Sequence, residues 1–142
     1  MADLNKSVAD KVPSYTGTFG NASRAVFSYT FASAAANDIA ILGKIPKYST
    51  VTGVTLYTAD LGTGTTMDIG YRTAELDGTL TTDEDYWIDG CDTATAAAVF
   101  THATLIREPV TFTEEIYITA KNIGAVATGK ITVVVDYIYT NN

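Results

Sequence analysis

The stretch GKITVVVDYIY, residues 129–139, decides the fold class of this chain. Its β-branched and aromatic side chains recur with a period of two, which is the repeat of a strand that buries one face. A helix would instead need apolar residues three and four positions apart. The sequence therefore predicts a strand from Gly129 to Tyr139, with one face made of Ile131, Val133, Val135, Tyr137 and Tyr139.

The same alternation recurs along most of the chain. It is clear in Val51 to Ala59 and in Thr65 to Thr73, which are interpreted as a hairpin around the glycine turn at 60–64, because glycine tolerates positive φ. Residues 74–100 break the pattern and are interpreted as a long loop, with one or two helical turns in Thr93 to Val99. The other predicted strands are 24–31, 38–44, 104–107, 110–113 and 115–121.

This pattern defines the expected architecture. About eight short strands with almost no helix are typical of an antiparallel sandwich or barrel. The predicted fold class is an all-β antiparallel β-sandwich that is jelly-roll-like and carries an extended N-terminal arm. Residues 1–20 are short of periodic apolar positions and are predicted to form the arm, and residues 21–142 are predicted to form the sandwich domain.

The composition describes one acidic domain. The chain has 142 residues, a net charge of −7 and 46% hydrophobic residues, which is too apolar for a disordered chain and sufficient for a core. An acidic chain has no basic surplus to displace counterions, so no nucleic-acid partner is predicted. The first twenty residues lack an apolar signal core, and Ile131 to Tyr139 is short and interrupted by Asp136. Neither a cleavable signal nor a membrane span is therefore predicted.

The negative charge is concentrated in one segment. Carboxylates placed close together can supply oxygen ligands to Ca²⁺, although the glycine and the distal glutamate of an EF-hand loop are missing here. The alternative interpretation is a solvated acidic surface that aids solubility. No metal ligand is assigned from the sequence. The segment holds seven acids and no base: Glu75, Asp77, Asp83, Glu84, Asp85, Asp89 and Asp92.

Catalytic arrangements find little support in the sequence. Cys91 and His102, the single cysteine and the single histidine, could form a thiol–imidazole pair. The carboxylates beside Cys91 would however raise the pKa of its thiol, which opposes activation. Asp85 and Asp89 flank Trp87, but their spacing alone does not define a glycosidase pair. Nucleophile elbows, phosphate loops and zinc ligand sets are all missing, so the sequence predicts no enzyme, no catalytic residue and no cofactor.

Trp87 is the one tryptophan and lies in the short apolar stretch Tyr86 to Ile88. An aromatic residue there could plug the core, contact another subunit or form a platform that stacks on sugar rings. The first two roles are favoured, because large aromatic side chains dominate both cores and interfaces.

Two stretches resemble the decoration proteins, also called cement proteins, of tailed-bacteriophage capsids. The first is Ile41 to Pro46, followed by Val51 to Leu56 and Asp60 to Tyr71, and the second is Tyr86 to Ala94; that family carries similar turn and strand motifs in this order, and the terminal strand Thr128 to Tyr137 is also similar. The resemblance extends from Ile39 to Tyr139 and does not cover the arm. It implies a jelly-roll-like β-sandwich and a structural role, since the motifs are turns and strands and not a catalytic signature.

The resemblance also implies partners and a location. Decoration proteins bind the outside of an assembled shell and tie neighbouring major capsid protein subunits together, often as trimers. We therefore expect a virion protein on the outer capsid surface, made in the cytoplasm of a bacterial host, which binds the major capsid protein as a homotrimer. The alternative is a fibre or adhesin domain, attached to the shell or the tail, that binds host-surface carbohydrate.

The resemblance suggests where such contacts would lie. The arm could order on the capsid or on a sister subunit, either as a strand added to an exposed sheet edge or as an extended clamp; a tail without contacts is the simpler alternative. The predicted capsid or subunit interface consists of Leu4, Val8, Val12, Tyr15, Phe19 and Trp87.

Overall fold

The computed structural model describes residues 3–4, 22–94, 98–101 and 108–139. Within these ranges every regular element is a strand, and no helix is long and apolar enough to cross a membrane. The strands are β1 (Asp3–Leu4), β2 (Ala22–Ala34), β3 (Ile39–Ile45), β4 (Ser49–Thr58), β5 (Thr65–Thr73), β6 (Asp83–Asp92), β7 (Ala98–Thr101), β8 (Val110–Phe112), β9 (Ile116–Gly124) and β10 (Ala127–Tyr139).

The strands form two sheets. The first sheet has the order β1-β3-β9-β5-β6, and the second has the order β2-β10-β4-β7, with β8 also paired to β4. From β2 onward the chain changes sheet between successive strands, except between β5 and β6 and between β7 and β8, which both pair with β4; this is the winding of an eight-stranded jelly roll in which β7 and β8 share one strand position. The predicted β-sandwich is confirmed, and all its pairings are antiparallel apart from that of β1, which runs parallel to β3.

The core lies between the sheets and is built on β10. This strand pairs with β2 on one side and β4 on the other, so its alternate side chains point into the sandwich. Ile131, Val133 and Val135 have no exposed surface and Tyr137 is 2% exposed, as the alternation in 129–139 predicts. Tyr139, at the end of the strand, is only half-buried.

The expected hairpin between β4 and β5 is wrong, because the two strands belong to different sheets. Residues 59–64 cross from one sheet to the other. The Asp60 carboxylate accepts a hydrogen bond from the Gly62 amide at 3.0 Å, and Gly62 and Gly64 have φ values of +122° and +79°. The expectation that these glycines supply positive φ is confirmed, but the turn forms a corner between sheets.

The expected long loop at 74–100 is also wrong beyond its first part, because β6 occupies Asp83–Asp92. Its alternation is hidden by a bulge: Ile69 pairs with Ile88, whereas Tyr71 pairs with Asp83. Ala98 and Val99 lie in β7, so the helical turns expected up to Val99 are not formed there. The predicted strand at 104–107 lies outside the described residues.

Candidate interaction surface

The predicted interface residues lie in different surroundings. Leu4 is next to Ala40 in the β1–β3 register and packs, half-buried, against the core. Trp87 is 2% exposed and lies in a cluster of edge-on rings, with its centroid 5.8 Å from Tyr71 and 6.0 Å from Phe112. This burial favours the core role for Trp87 over the other two. Val8, Val12, Tyr15 and Phe19 lie outside the described residues.

The burial of Trp87 follows from the bulge in β6. Trp87 and Ile88 are adjacent in sequence, yet both side chains enter the same core cluster, whereas a regular strand points adjacent side chains to opposite faces. The extra residues between the Ile88 and Asp83 pairings allow the indole to turn inward toward Tyr71.

Cys91 has the chemistry of a core residue. It is 4% exposed and its Sγ donates a weak hydrogen bond to the Met67 carbonyl at 3.4 Å. Burial, with smaller contributions from the charges of Asp68 and Asp92, raises the pKa of the thiol to about 12. The direction agrees with the sequence-based expectation, and a thiol of this kind is a poor nucleophile. His102 lies outside the described residues.

The acidic segment forms one side of the sandwich. Its residues lie in β6, at the far edge of the first sheet, and in the loop before it; we call this region the acid edge. In the described part of the chain, three or more Asp, Glu, His or Cys side chains do not converge as they would around a metal ion. Asp68 faces this region and accepts a hydrogen bond from the Gly90 amide at 2.7 Å. Burial is the main cause that raises its pKa, to which the charges of Asp89 and Asp85 add.

On the outer side of the first sheet, the apolar side chains of β3 are buried. Ala40 and Leu42 of β3 point into the main core, while Ile39 and Ile41 alternate with them and form a separate cluster with Tyr117. Ile39 and Ile41 have no exposed surface although they point away from the sandwich interior. The outward apolar side chains of β3 therefore offer little surface to another protein.

The outer side of the second sheet is different. We define the open face as the outward side chains of β2, β10 and β4. At its centre Val26 lies next to Val134 in the register, and Val26 is 59% exposed. Tyr57 on β4 is 46% exposed and lies next to Thr132. An apolar patch thus lies in solvent, surrounded by small hydroxyl side chains.

The polar groups of the open face mostly satisfy one another. The Ser28 and Thr132 hydroxyls are 3.0 Å apart, and the Arg24 Nε donates to Asp136 Oδ1 at 2.7 Å. With Lys130, the face carries two bases and one acid, which gives a net charge of +1 on a chain of net charge −7. The open face is thus nearly neutral on an acidic molecule.

A shallow groove lies at one end of the open face. It has a volume of about 430 Å³, and the paired side chains of Arg24 and Asp136 form part of its wall. Ser23, Thr52 and Tyr137 also line it. The groove is open to solvent, and its charged groups are paired with each other.

Val26, Tyr57 and Leu76 are among the exposed apolar side chains of the structure, and none of them was predicted from the sequence as an interface residue. The sequence could have indicated Val26, because this apolar residue occupies a position on the polar face of β2, between Arg24 and Ser28. Leu76 is fully exposed at a turn between Glu75 and Asp77, where alternation gives no information.

No protein-family model and no curated protein matches this chain at a significant level. Solved structures do. A chain of the capsid of Ralstonia phage GP4 is similar over 94% of this chain and 92% of its own length, with a TM-score of 0.63 and 21% identity. A chain of the cyanophage Pam1 capsid asymmetric unit is similar over 95% of this chain and 96% of its own length, with a TM-score of 0.64 and 20% identity.

A third structure, the acidic stable capsid of Helicobacter pylori bacteriophage KHP30, contains a chain that is similar over 84% of this chain and 89% of its own length. Its TM-score is 0.59 and its identity 17%. At identities this low the similarity establishes a shared fold. This chain therefore has the fold of chains found in the capsids of three phages.

Proposed function

We propose that this chain is a structural virion protein that decorates and stabilises the outside of a bacteriophage capsid by binding major capsid protein subunits. The observation that carries the proposal is the near full-length similarity to chains of three phage capsids. In each comparison the similarity covers more than four-fifths of both chains. These capsids therefore contain the whole sandwich and not a fragment of a larger fold.

The surfaces of the described residues support adhesion as the mode of action. The proposal assigns the chain no enzymatic activity. The open face is nearly neutral and partly apolar, which suits contact with another protein. The Cys91 thiol is buried with a raised pKa, which makes it a poor nucleophile. A repeated lattice would multiply a modest affinity at each contact.

The proposal includes a homotrimer and a role for the arm. Residues 1–19 would contact the shell or a sister subunit as an extended segment. The pairing of Asp3–Leu4 with β3 is a local precedent, because it shows arm residues adding backbone to a sheet edge. The protein would be made in the host cytoplasm and act on the outer surface of the virion.

The proposal is tested on shells of the encoding phage that have been assembled without this protein. Purified protein is added, and the temperature at which the shells release their contents is measured. We expect a rise in that temperature which saturates with added protein, since a ligand that binds the intact lattice stabilises it. Binding to isolated, unassembled capsid subunits alone, with no change in the shells, would contradict the proposal.

The carbohydrate-binding alternative is separated by a glycan array. A sugar platform usually needs an exposed aromatic face, and Trp87 is buried. We expect no glycan binding by the wild type. Glycan binding together with shells that release their contents at an unchanged temperature would favour the adhesin.

A further inference from the structure

We infer that a second copy of this chain docks on the open face and along the unpaired edge of β2. The inference rests on the homo-oligomer in the proposed function and adds to it the surface through which the copies meet. Four features of the described residues carry it: the unprotected edge of β2, its half-buried aromatic residues, the size of the open face and the position of the acid edge.

Among the described residues, the edge of β2 lacks the usual protection. β2 has thirteen residues and pairs along most of its length with β10, while its other side pairs with no strand in the described part of the chain. Natural edge strands are usually short or carry proline, lysine or inward-pointing charges, which prevent pairing with another molecule. The sequence 22–34 has no proline and one charged residue, Arg24, whose outward side chain is paired with Asp136.

Two aromatic residues of this strand are only half-buried although they point toward the core. Phe27 and Tyr29 pack against the core cluster but keep some exposure, whereas Phe31, on the same face, has none. The Phe27 ring lies over Gly43 of β3, at a spacing that would leave no room for a Cβ there. A second molecule placed along the edge would cover the exposed sides of both rings.

The open face is large enough for a stable contact. Thirteen residues at about 3.3 Å each give an edge of about 43 Å, and three strands at about 4.8 Å spacing give a width of about 14 Å. The resulting area, roughly 600 Å², approaches the roughly 800 Å² that each partner contributes to an interface of standard size. The side chains beyond the free edge of β2 would add to it.

The position of the acid edge explains why the occupant can be another copy. β2 packs over β3 and β6 packs over β7, so the β2 edge and the acid edge lie on opposite sides of the sandwich. Two molecules that each carry a charge of −7 repel one another if their acid edges meet. They avoid this repulsion when they meet through the open face, where Arg24 and Asp136 neutralise each other.

The test measures molecular mass in solution for the wild type and three variants by sedimentation velocity over a range of concentrations. Val26→Lys places a charge at the centre of the open face, and Ser28→Lys repeats the change two residues along the strand. Val126→Lys is the matched control, because Val126 is 57% exposed, as Val26 is at 59%, but lies in the turn before β10. Melting curves verify that each variant is folded.

We expect the wild type and Val126→Lys to be oligomers, and Val26→Lys and Ser28→Lys to shift toward the monomer mass of 15.1 kDa. An oligomer that persists in both strand variants would overturn the inference while leaving the proposed trimer intact. A wild type that is monomeric throughout would overturn both the inference and the trimer. Thermal stabilisation of shells by the same samples tests the decoration role separately, since a monomer can still bind.

Discussion

At the scale of single residues, Asn122 is the side chain that most clearly holds the fold at one point. It has no exposed surface, and its Nδ2 donates to the carbonyls of Ala34 at 3.3 Å, Ala35 at 3.1 Å and Ala125 at 2.8 Å. One amide group therefore ties the turn after β2 to the turn before β10.

Asn122→Ala should lower the free energy of unfolding by about 2–3 kcal/mol, because buried carbonyls lose their donor. Urea denaturation measures this loss. Thr113→Ala, at an exposed position, is the control and should change stability by less than about 0.5 kcal/mol. Equal effects of the two substitutions would contradict the assigned role of Asn122.

Cys91 offers a second test at this scale. Because its thiol is buried and its pKa is raised to about 12, it should be almost entirely protonated at pH 8. We expect a thiol reagent to label native protein at least tenfold more slowly than protein in concentrated urea, since the thiolate is the reactive form. Rapid labelling of the native protein would show that this part of β6 opens readily.

At the scale of elements, the bulge in β6 depends on a glycine in β5. A Cβ on Gly70 would lie 2.1 Å from the Asp83 carbonyl oxygen and 2.3 Å from the Glu84 carbonyl carbon, so the two backbones touch where a side chain would be. Gly70→Ala should destabilise the protein by about 3 kcal/mol or more, because backbone atoms must move.

Gly64→Ala separates this close approach from backbone strain. Gly64 has φ +79° but open space around its Cβ direction, with the nearest atom at 3.7 Å. Gly64→Ala should therefore lower the free energy of unfolding by about 1 kcal/mol, because alanine disfavours the left-handed conformation. Thermal melts of both variants provide the comparison, and a smaller loss for Gly70→Ala than for Gly64→Ala would contradict the packing argument.

The loop between β5 and β6 is held by one carboxylate. Glu114 accepts hydrogen bonds from the Thr73 hydroxyl at 2.8 Å, the Thr79 amide at 2.7 Å, the Thr79 hydroxyl at 3.1 Å and the Leu80 amide at 3.2 Å. These bonds, with that from the Thr79 amide the largest cause, lower the pKa of Glu114. Because this pKa is lowered, the stability of the loop should depend on pH.

The folded-state pKa of Glu114 is below its unfolded value of about 4.3. The stability that the Glu114 carboxylate contributes is therefore fully present above about pH 4.3 and is lost as the pH falls through the folded-state pKa. The protection of the amides in residues 75–80, measured as the exchange rate relative to the intrinsic rate at the same pH, should therefore fall on acidification below pH 4. Glu114→Gln should exchange faster at neutral pH and lose this dependence, whereas an acid response equal to that of the wild type would contradict the role of Glu114.

The strands differ in how well their sequence predicts them. β10 and β4 are flanked by other strands and have one face in the core, so their apolar residues alternate regularly. β6 lies at an edge, carries acids on its outer side and contains the bulge that buries Trp87 and Ile88 together, so its alternation is lost. The corner at 59–64 resembles a hairpin because both structures need positive φ at glycine.

At the scale of the whole molecule, the surface that meets a partner depends on which side of each sheet remains open. The run Ile39 to Leu42 is apolar at every position, which is typical of a strand buried on both faces. The open face differs in carrying an apolar Val26 among polar neighbours. Which strands would lie beside Val26 to make a face could not be predicted, because strand order is set by contacts distant in sequence.

The arm provides a prediction at this scale, which belongs to the proposed function. A variant lacking residues 1–19 should bind shells at least tenfold more weakly than the full chain, because it loses the segment proposed to order on the shell or on a sister subunit. This deletion also removes β1 from the edge of the first sheet. A second variant, with Val8, Val12, Tyr15 and Phe19 all changed to Ser, keeps β1 and should show a similar loss. Full binding by both variants would contradict a role for the arm.

The most direct test of the central claim, that the chain acts by adhering to a capsid lattice, is a sedimentation titration with shells assembled without it. The account predicts that the protein pellets with the shells and saturates at a fixed ratio to the major capsid protein, whereas it stays in solution alone. Protein that remains in the supernatant at every concentration, in the presence of intact shells, would contradict the account.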